Sequence, residues 1–244
     1  MSKVRLILLS MLAVFAASAV ASASAAAAGC EEAGGEKCLW TLEGKILPAG
    51  EMRELKVVPT ATFTLKGKAS GAKVTLKSTE IDLKEAKILG GNPGTNYGSI
   101  LFKNVTVSEP KECKVTNKEV ITEPLKSELV ELVKGKVPQK VDDLLFEPEK
   151  AGGVFAKITF ENNPKCSLNG VTAEVAGNIQ SEPSPRNTET VKAKLKTQGK
   201  EEWEFRRKGE TVSHKSQLEF GGEPATLEGT AELELIKGEK WGTD

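Results

Sequence analysis

The sequence predicts an all-β protein: one antiparallel β-sandwich of Greek-key or jelly-roll type, with an internal duplication, following a signal peptide. Three observations predict it. Apolar and polar residues alternate in run after run along the chain, the two-residue period of half-buried strands. Turn residues separate the runs, as at Gly67, Gly71, Gly90-Gly91-Asn92-Pro93-Gly94, Gly152-Gly153, Asn169-Gly170 and Gly221-Gly222. One short pattern also occurs twice, each copy ending on a cysteine.

Residues 1–29 read as a secretory signal. Lys3 and Arg5 precede an apolar stretch from Leu6 to Val20, shorter than the roughly 20 residues of a spanning helix, and small residues follow from Ala21 to Gly29. The expectation is an exported chain, residues 30–244, with no transmembrane segment, secreted or held at the cell surface. Without the signal the chain has 32 basic and 34 acidic residues, a formal charge of −2. That balance offers a phosphate backbone little attraction, so nucleic acid is not an expected partner.

The strands follow in order. Thr62-Phe63-Thr64-Leu65-Lys66, Val74-Thr75-Leu76-Lys77 and Ile81-Asp82-Leu83-Lys84 alternate. Further on, so do Val171-Thr172-Ala173-Glu174-Val175, Val191-Lys192-Ala193-Lys194-Leu195-Lys196 and Ala231-Glu232-Leu233-Glu234-Leu235. Each run has one apolar face and one of Lys, Glu and Thr, as an antiparallel sheet with a wet outer side requires. Asn169-Gly170 suits a type I′ turn between a strand from Cys166 and one beginning at Val171. Residues 122–133 are ambiguous: Leu125, Leu129 and Leu132 have helical spacing, yet the similarity of Leu125-Lys126-Ser127 to Leu76-Lys77-Ser78 favours a strand. Ser181-Glu182-Pro183-Ser184-Pro185-Arg186-Asn187 reads as a surface loop rather than an interdomain linker.

The repeat aligns Leu101–Val107 with Val154–Phe160 at a spacing of 53 residues, and Cys113 and Cys166 keep that spacing. Two copies packed about an approximate twofold would bring these cysteines together. A Cys113–Cys166 disulfide is therefore expected, leaving Cys30 to pair with Cys38. The rival for Cys30 is acylation, because Ala27-Ala28-Gly29-Cys30 loosely matches a lipoprotein signal; it would strand Cys38. Phe102, Val105, Val107, Phe155, Ile158 and Phe160 are the expected centre of the core.

Catalytic chemistry has little to build on. The one histidine, His214, lies in a polar stretch, no Gly-x-Ser-x-Gly elbow occurs, and Asp142-Asp143 is the one acidic Asp doublet. Carboxylate pairs for glycoside hydrolysis would arise by chance on strands of alternating Lys and Glu. No catalytic residue, metal site or cofactor is expected. Binding is the more open class: Asn92, Asn96 and Tyr97 lie in a glycine-rich stretch, where an aromatic ring could stack on a sugar while amides bond its hydroxyls. Trp40, Trp203 and Trp241 are further candidates for such a face, although Trp40, beside Cys38, suits packing against a disulfide.

The signal, the repeated strand ending in cysteine and Ile121-Thr122-Glu123-Pro124-Leu125-Lys126-Ser127-Glu128-Leu129 resemble secreted proteins of soil actinobacteria over roughly residues 74–182. The resemblance implies export and β structure, and assigns no activity. The expected function is thus a non-enzymatic structural or adhesive protein of the cell envelope or extracellular space, with cell-wall glycan or an envelope protein as partner. The alternative is a carbohydrate-binding module using the loop around Tyr97.

Overall fold

The computed structural model describes residues 38–134, 137–200, 202–207 and 210–243, with no side chains described at 59, 60 or 133–142. The signal segment and Cys30 lie outside the described residues. Among the described residues there are eighteen strands: β1 (Trp40–Leu42), β2 (Lys45–Ile46), β3 (Met52–Ala69), β4 (Ala72–Ser78), β5 (Glu80–Leu89), β6 (Thr95–Lys103), β7 (Thr106–Glu109), β8 (Val120–Ile121), β9 (Leu125–Lys134), β10 (Val137–Pro148), β11 (Val154–Thr159), β12 (Thr172–Gly177), β13 (Ile179–Ser184), β14 (Lys192–Thr197), β15 (Glu202–Arg206), β16 (His214–Phe220), β17 (Glu223–Leu235) and β18 (Trp241–Thr243). The all-β antiparallel class is as the alternation predicts, and residues 125–134 are strand, not helix.

Large antiparallel sheets face one another across shared cores, as in a sandwich, and the pairings also join their edges. Going round from β3, the ladder runs through β5, β6, β9, β10, β13, β14 and β17, and returns to β3. These eight strands enclose a core that includes Leu55, Ala61, Phe63, Ile81, Ile88, Leu129, Leu144, Leu195 and Leu233. A three-stranded sheet, in the order β18, β1, β2, packs Trp40 and Trp241 against that core, where β17 ends and β6 begins. Trp40 and Trp241 lie 5.6 Å apart, and the Trp40 indole N–H donates to the Thr95 carbonyl at 3.0 Å.

A second core lies beyond it. The far half of β3 pairs with β4, β4 with β7, β11 with β12, β12 with β16, and β16 with the start of β17. Phe155, Ile158, Phe160, Val175, Leu218 and Phe220 fill it, together with Val105 and both cysteines of the bridge. β3 serves both cores because its 18 residues reach about 60 Å at 3.3 Å per residue. Its ladder with β17 shifts register between Thr230 and Glu232, opposite the stretch containing Pro59, which has no N–H to give.

The Cys113–Cys166 disulfide is present, with both residues buried. It ties two loops that also meet through the Val115–Phe160 bridge and a 2.9 Å bond from the Glu161 N–H to the Lys114 carbonyl. Cys38 is disulfide-bonded as well, and Cys30, its expected partner, lies outside the described residues.

Two expectations are corrected, and a third is not shown. The duplication is not shown: the first stretch breaks at Asn104, where φ is 53°, and divides between β6 and β7, whereas the second is the single strand β11 with Phe160. The bridge therefore follows from two loops meeting, not from equivalent halves. Asn169-Gly170 does not join a strand from Cys166. β12 pairs instead with β11, across a loop closed by the Phe160 N–H to Val171 carbonyl bond of 2.9 Å, and of the two turn residues only Gly170 has positive φ. Residues 181–184 are not a surface loop but part of β13, with Ser181 buried and its hydroxyl 2.7 Å from that of Thr197.

Replacing both half-cystines, Cys113→Ser with Cys166→Ser, opens a loop of 53 residues and is expected to cost about 4 kcal/mol on the chain-entropy account. Equilibrium urea unfolding of the double variant measures it. A change too small to resolve would mean that the 114–115 and 160–161 contacts alone hold the loops together.

Candidate functional site

The residues singled out for sugar binding do not share a surface. The glycine-rich loop ends at Gly94, and Thr95, Asn96 and Tyr97 already belong to β6. Its glycines answer to packing: a Cβ on Gly94 would come within 2.6 Å of the Trp40 ring, and one on Gly90 would strike the Pro48 carbonyl. The loop is sewn to the N-terminal segment by the Gly94 N–H to Cys38 carbonyl bond of 2.7 Å and the Gly90 N–H to Glu51 carbonyl bond of 2.8 Å. Asn92 is exposed at its tip, whereas Asn96 is buried and its side-chain oxygen accepts from the Ser127 hydroxyl. Tyr97, next along the strand, falls on the opposite face, half-buried between Lys87 and Lys126 in the register. Trp40 and Trp241 are buried against each other, and Trp203 is buried beneath the ammonium of Lys200, so the tryptophans form no common platform.

Polar groups gather instead on the outer faces of β9, β10 and β13. Arg207 donates to Glu128 and, at 3.0 Å, to Glu147. Burial pushes the Glu128 carboxyl above the ordinary glutamate value, and the attraction of Arg207 and Lys126 does not cancel it. Asp143, fully buried, accepts from the Gln180 amide at 2.9 Å and is ion-paired to Arg186 at 2.9 Å. Arg186 also reaches Glu182 at 2.8 Å. Burial pushes the Glu182 carboxyl up, but Arg186, the Gln198 amide and Lys196 outweigh it and hold the carboxyl below its ordinary value. These carboxylates are occupied by arginines and amides of the chain, and among the described residues no three of His, Cys, Asp and Glu are placed to hold a metal ion. His214 opens β16, bonded to Glu210 and stacked on Phe205 at 5.6 Å.

A concave feature lies within the eight-strand circuit, a cavity of about 80 Å³ whose wall includes Leu83, Ala86, Ile100, Phe146, Ile179 and Leu233. A second void of about 50 Å³ lies in the other core. Phe63, Phe102, Phe155 and Leu227 border both and form the partition between them. No local motif marks this site, because its wall comes from nine strands, the eight of the circuit and β11, and its residues read as ordinary core.

Among known proteins, no family model, no curated protein and no solved structure matches the chain. Fold and site together define an antiparallel β protein with two joined cores and an apolar cavity between its strands.

A carboxyl held below its ordinary value stabilises the fold above the unfolded-state value, and that contribution is lost as pH falls through the folded one. Glu182→Gln is therefore expected to lower the thermal midpoint at neutral pH and to flatten its fall between about pH 5 and pH 3. Melts at a series of pH values read this, and parallel curves for the two proteins would contradict it.

Proposed function

We propose that the chain is an exported, non-enzymatic β scaffold of the cell envelope or extracellular space, structural or adhesive, with cell-wall glycan or an envelope protein as its partner. The observation that carries this reading is the buried Cys113–Cys166 bridge tying the loops of a ladder whose edges are joined. Disulfides of this kind persist in oxidising compartments, which agrees with the signal-like N-terminus.

The outer face supports the same reading. Lys192, Lys194 and Lys196 project from β14 while Ala193, Leu195 and Thr197 turn inward. Lys192 meets Glu232 at 3.4 Å and Lys56 meets Glu234 at 2.9 Å across neighbouring strands. This wall carries charge outside and apolar side chains inside, the reverse of a lipid-facing strand. Exposed ion pairs of this sort add little stability each, about 0–1 kcal/mol, and their effect is to keep the wall hydrated and the apolar face turned in.

The test is sedimentation of the mature, disulfide-bonded chain with isolated cell walls and with immobilised envelope proteins. Retention by one of these is expected, and recovery of all the protein in the supernatant would remove the adhesive role. The carbohydrate reading now rests on Tyr97 and the exposed Asn92, since Asn96 faces the interior. Tyr97→Ala is expected to leave retention on walls unchanged, and a folded Tyr97→Ala protein that no longer binds would restore sugar stacking as the mechanism.

A further inference from the structure

We propose that the cavity within the eight-strand circuit is a binding site for one small, neutral, apolar molecule, of the size of a benzene ring or a short alkyl group. An eight-stranded ring leaves an interior that side chains just fill, or that holds one small ligand. Which outcome a sequence reaches depends on the bulk it sends inward. Here Ala86, Gly98 and Ala231 lie at the cavity wall, and the space a side chain at 229 would take is occupied by the ring of Phe63 lying against Gly229. The walls therefore do not meet, and about 80 Å³ stays unfilled. That far exceeds the roughly 10–15 Å³ needed to admit one water.

Water is a poor occupant. A buried water needs two to four polar partners, and four of the polar side chains at this wall, Asn96, Ser127, Ser181 and Thr197, are already bonded in pairs. The Ser127 hydroxyl donates to Asn96, and the Ser181 and Thr197 hydroxyls share a bond of 2.7 Å. Apart from Tyr97 and Ser99, what remains facing the space is carbon, from Leu, Ile, Phe and Ala. An apolar guest gains contacts there and breaks no hydrogen bond. No charged side chain is among those lining either void, so a carboxylate or ammonium would be desolvated without a counter-charge. The class is thus neutral.

The partition limits length. Phe63 meets Phe102 edge-on at 5.5 Å, and with Phe155 and Leu227 these rings separate the two voids. A planar ring or a few carbons fit in one lobe, whereas a longer chain has to displace Phe102 or Phe155. This site is independent of the scaffold role: wall retention is read by sedimentation and cavity occupancy by spectroscopy, so either can fail alone.

The test is a benzene titration of the mature, disulfide-bonded chain, labelled at Leu, Ile and Val methyls and followed by NMR. Saturable one-to-one shifts are expected at Leu83, Ile179, Leu195 and Leu233, with none at the exposed Ile46, Val212 and Ile236. Benzoate, the charged analogue, is expected to produce none of them. Ala231→Leu, which adds bulk to the wall, is expected to weaken benzene binding by about tenfold or more while keeping the native methyl spectrum. Absence of saturable shifts up to the solubility of benzene would overturn the proposal. So would shifts centred on the surface methyls, benzoate binding as tightly as benzene, or a folded Ala231→Leu protein that binds benzene undiminished. The comparison of benzene with benzoate uses the unaltered protein and decides the matter if the variant does not fold.

Discussion

The register of β3 against β17 is the constraint on which the rest of the molecule depends. Leu55, Ala61, Phe63, Leu65, Gly67 and Ala69 come from one face of β3, and Ala225, Leu227, Gly229, Ala231, Leu233 and Leu235 from one face of β17. Because side chains alternate with a period of two, a slip of one residue would turn all of these to water at once. At about 1.5–3 kcal/mol for each large aliphatic or aromatic side chain buried, the slipped register is far out of reach. Phe63 opposite Gly229 adds a steric lock, since any side chain at 229 would collide with the ring. The same two strands wall both cores, so an error in this ladder would be felt in each of them.

The lock has a consequence for packing. Phe63 belongs to the partition between the cores, and with Phe102 and Phe155 it supplies bulk where the two meet. Small residues at 86, 98 and 231 leave the middle of the ring thin. Gly98 is small for a reason of its own: its φ is 147°, and a Cβ there would come within 2.7 Å of Ala86 Cα, at the register shift between β5 and β6. The void is thus the by-product of a bulge on one side and an aromatic partition on the other, each needed to close the circuit.

What the sequence discloses of this fold is what its local period encodes. The strands around Thr62, Val74, Ile81, Val171, Val191 and Ala231 are legible because alternation is read within five residues, and Val105, Ile158 and Phe160 are buried as expected, whereas Phe155, of opposite parity to Ile158, is buried beside a register shift. The Cys113–Cys166 bridge is legible too, although the repeat that suggested it is not shown by the fold and the meeting of two loops supplies the contact. Edge closure is not legible. β6 meets β9, and β10 meets β13, across some thirty or more residues of chain, and nothing in either strand names its partner. Ser181-Glu182-Pro183 has the composition of a loop, yet Ser181 is buried because Thr197 arrives from β14 to take its hydroxyl. Asn96 misleads in the same way: an amide suited to a sugar is satisfied by Ser127, from a strand nearly thirty residues on.

The buried charge of Asp143 sits where the ladder is short. β10 and β13 exchange only three register pairs, Leu144 with Ser181, Leu145 with Gln180 and Phe146 with Ile179. Side-chain bonds cross the same seam. Asp143 of β10 holds Gln180 of β13 at 2.9 Å, and Arg186, just past β13, pairs with Asp143 and with Glu182. A buried ion pair is a poor source of net stability, because desolvating both partners costs about as much as their attraction returns. Its value lies in direction. An aspartate that is fully buried tolerates few positions for its amide and guanidinium partners, so it fixes how β13 lies against β10 where three backbone pairs alone would permit a slip. Ile179 and Ser181 then face inward onto the cavity, and Gln180 faces the aspartate. The apolar interior and the charged outer cluster are in this sense one device, the cluster setting the register that keeps the cavity wall in place.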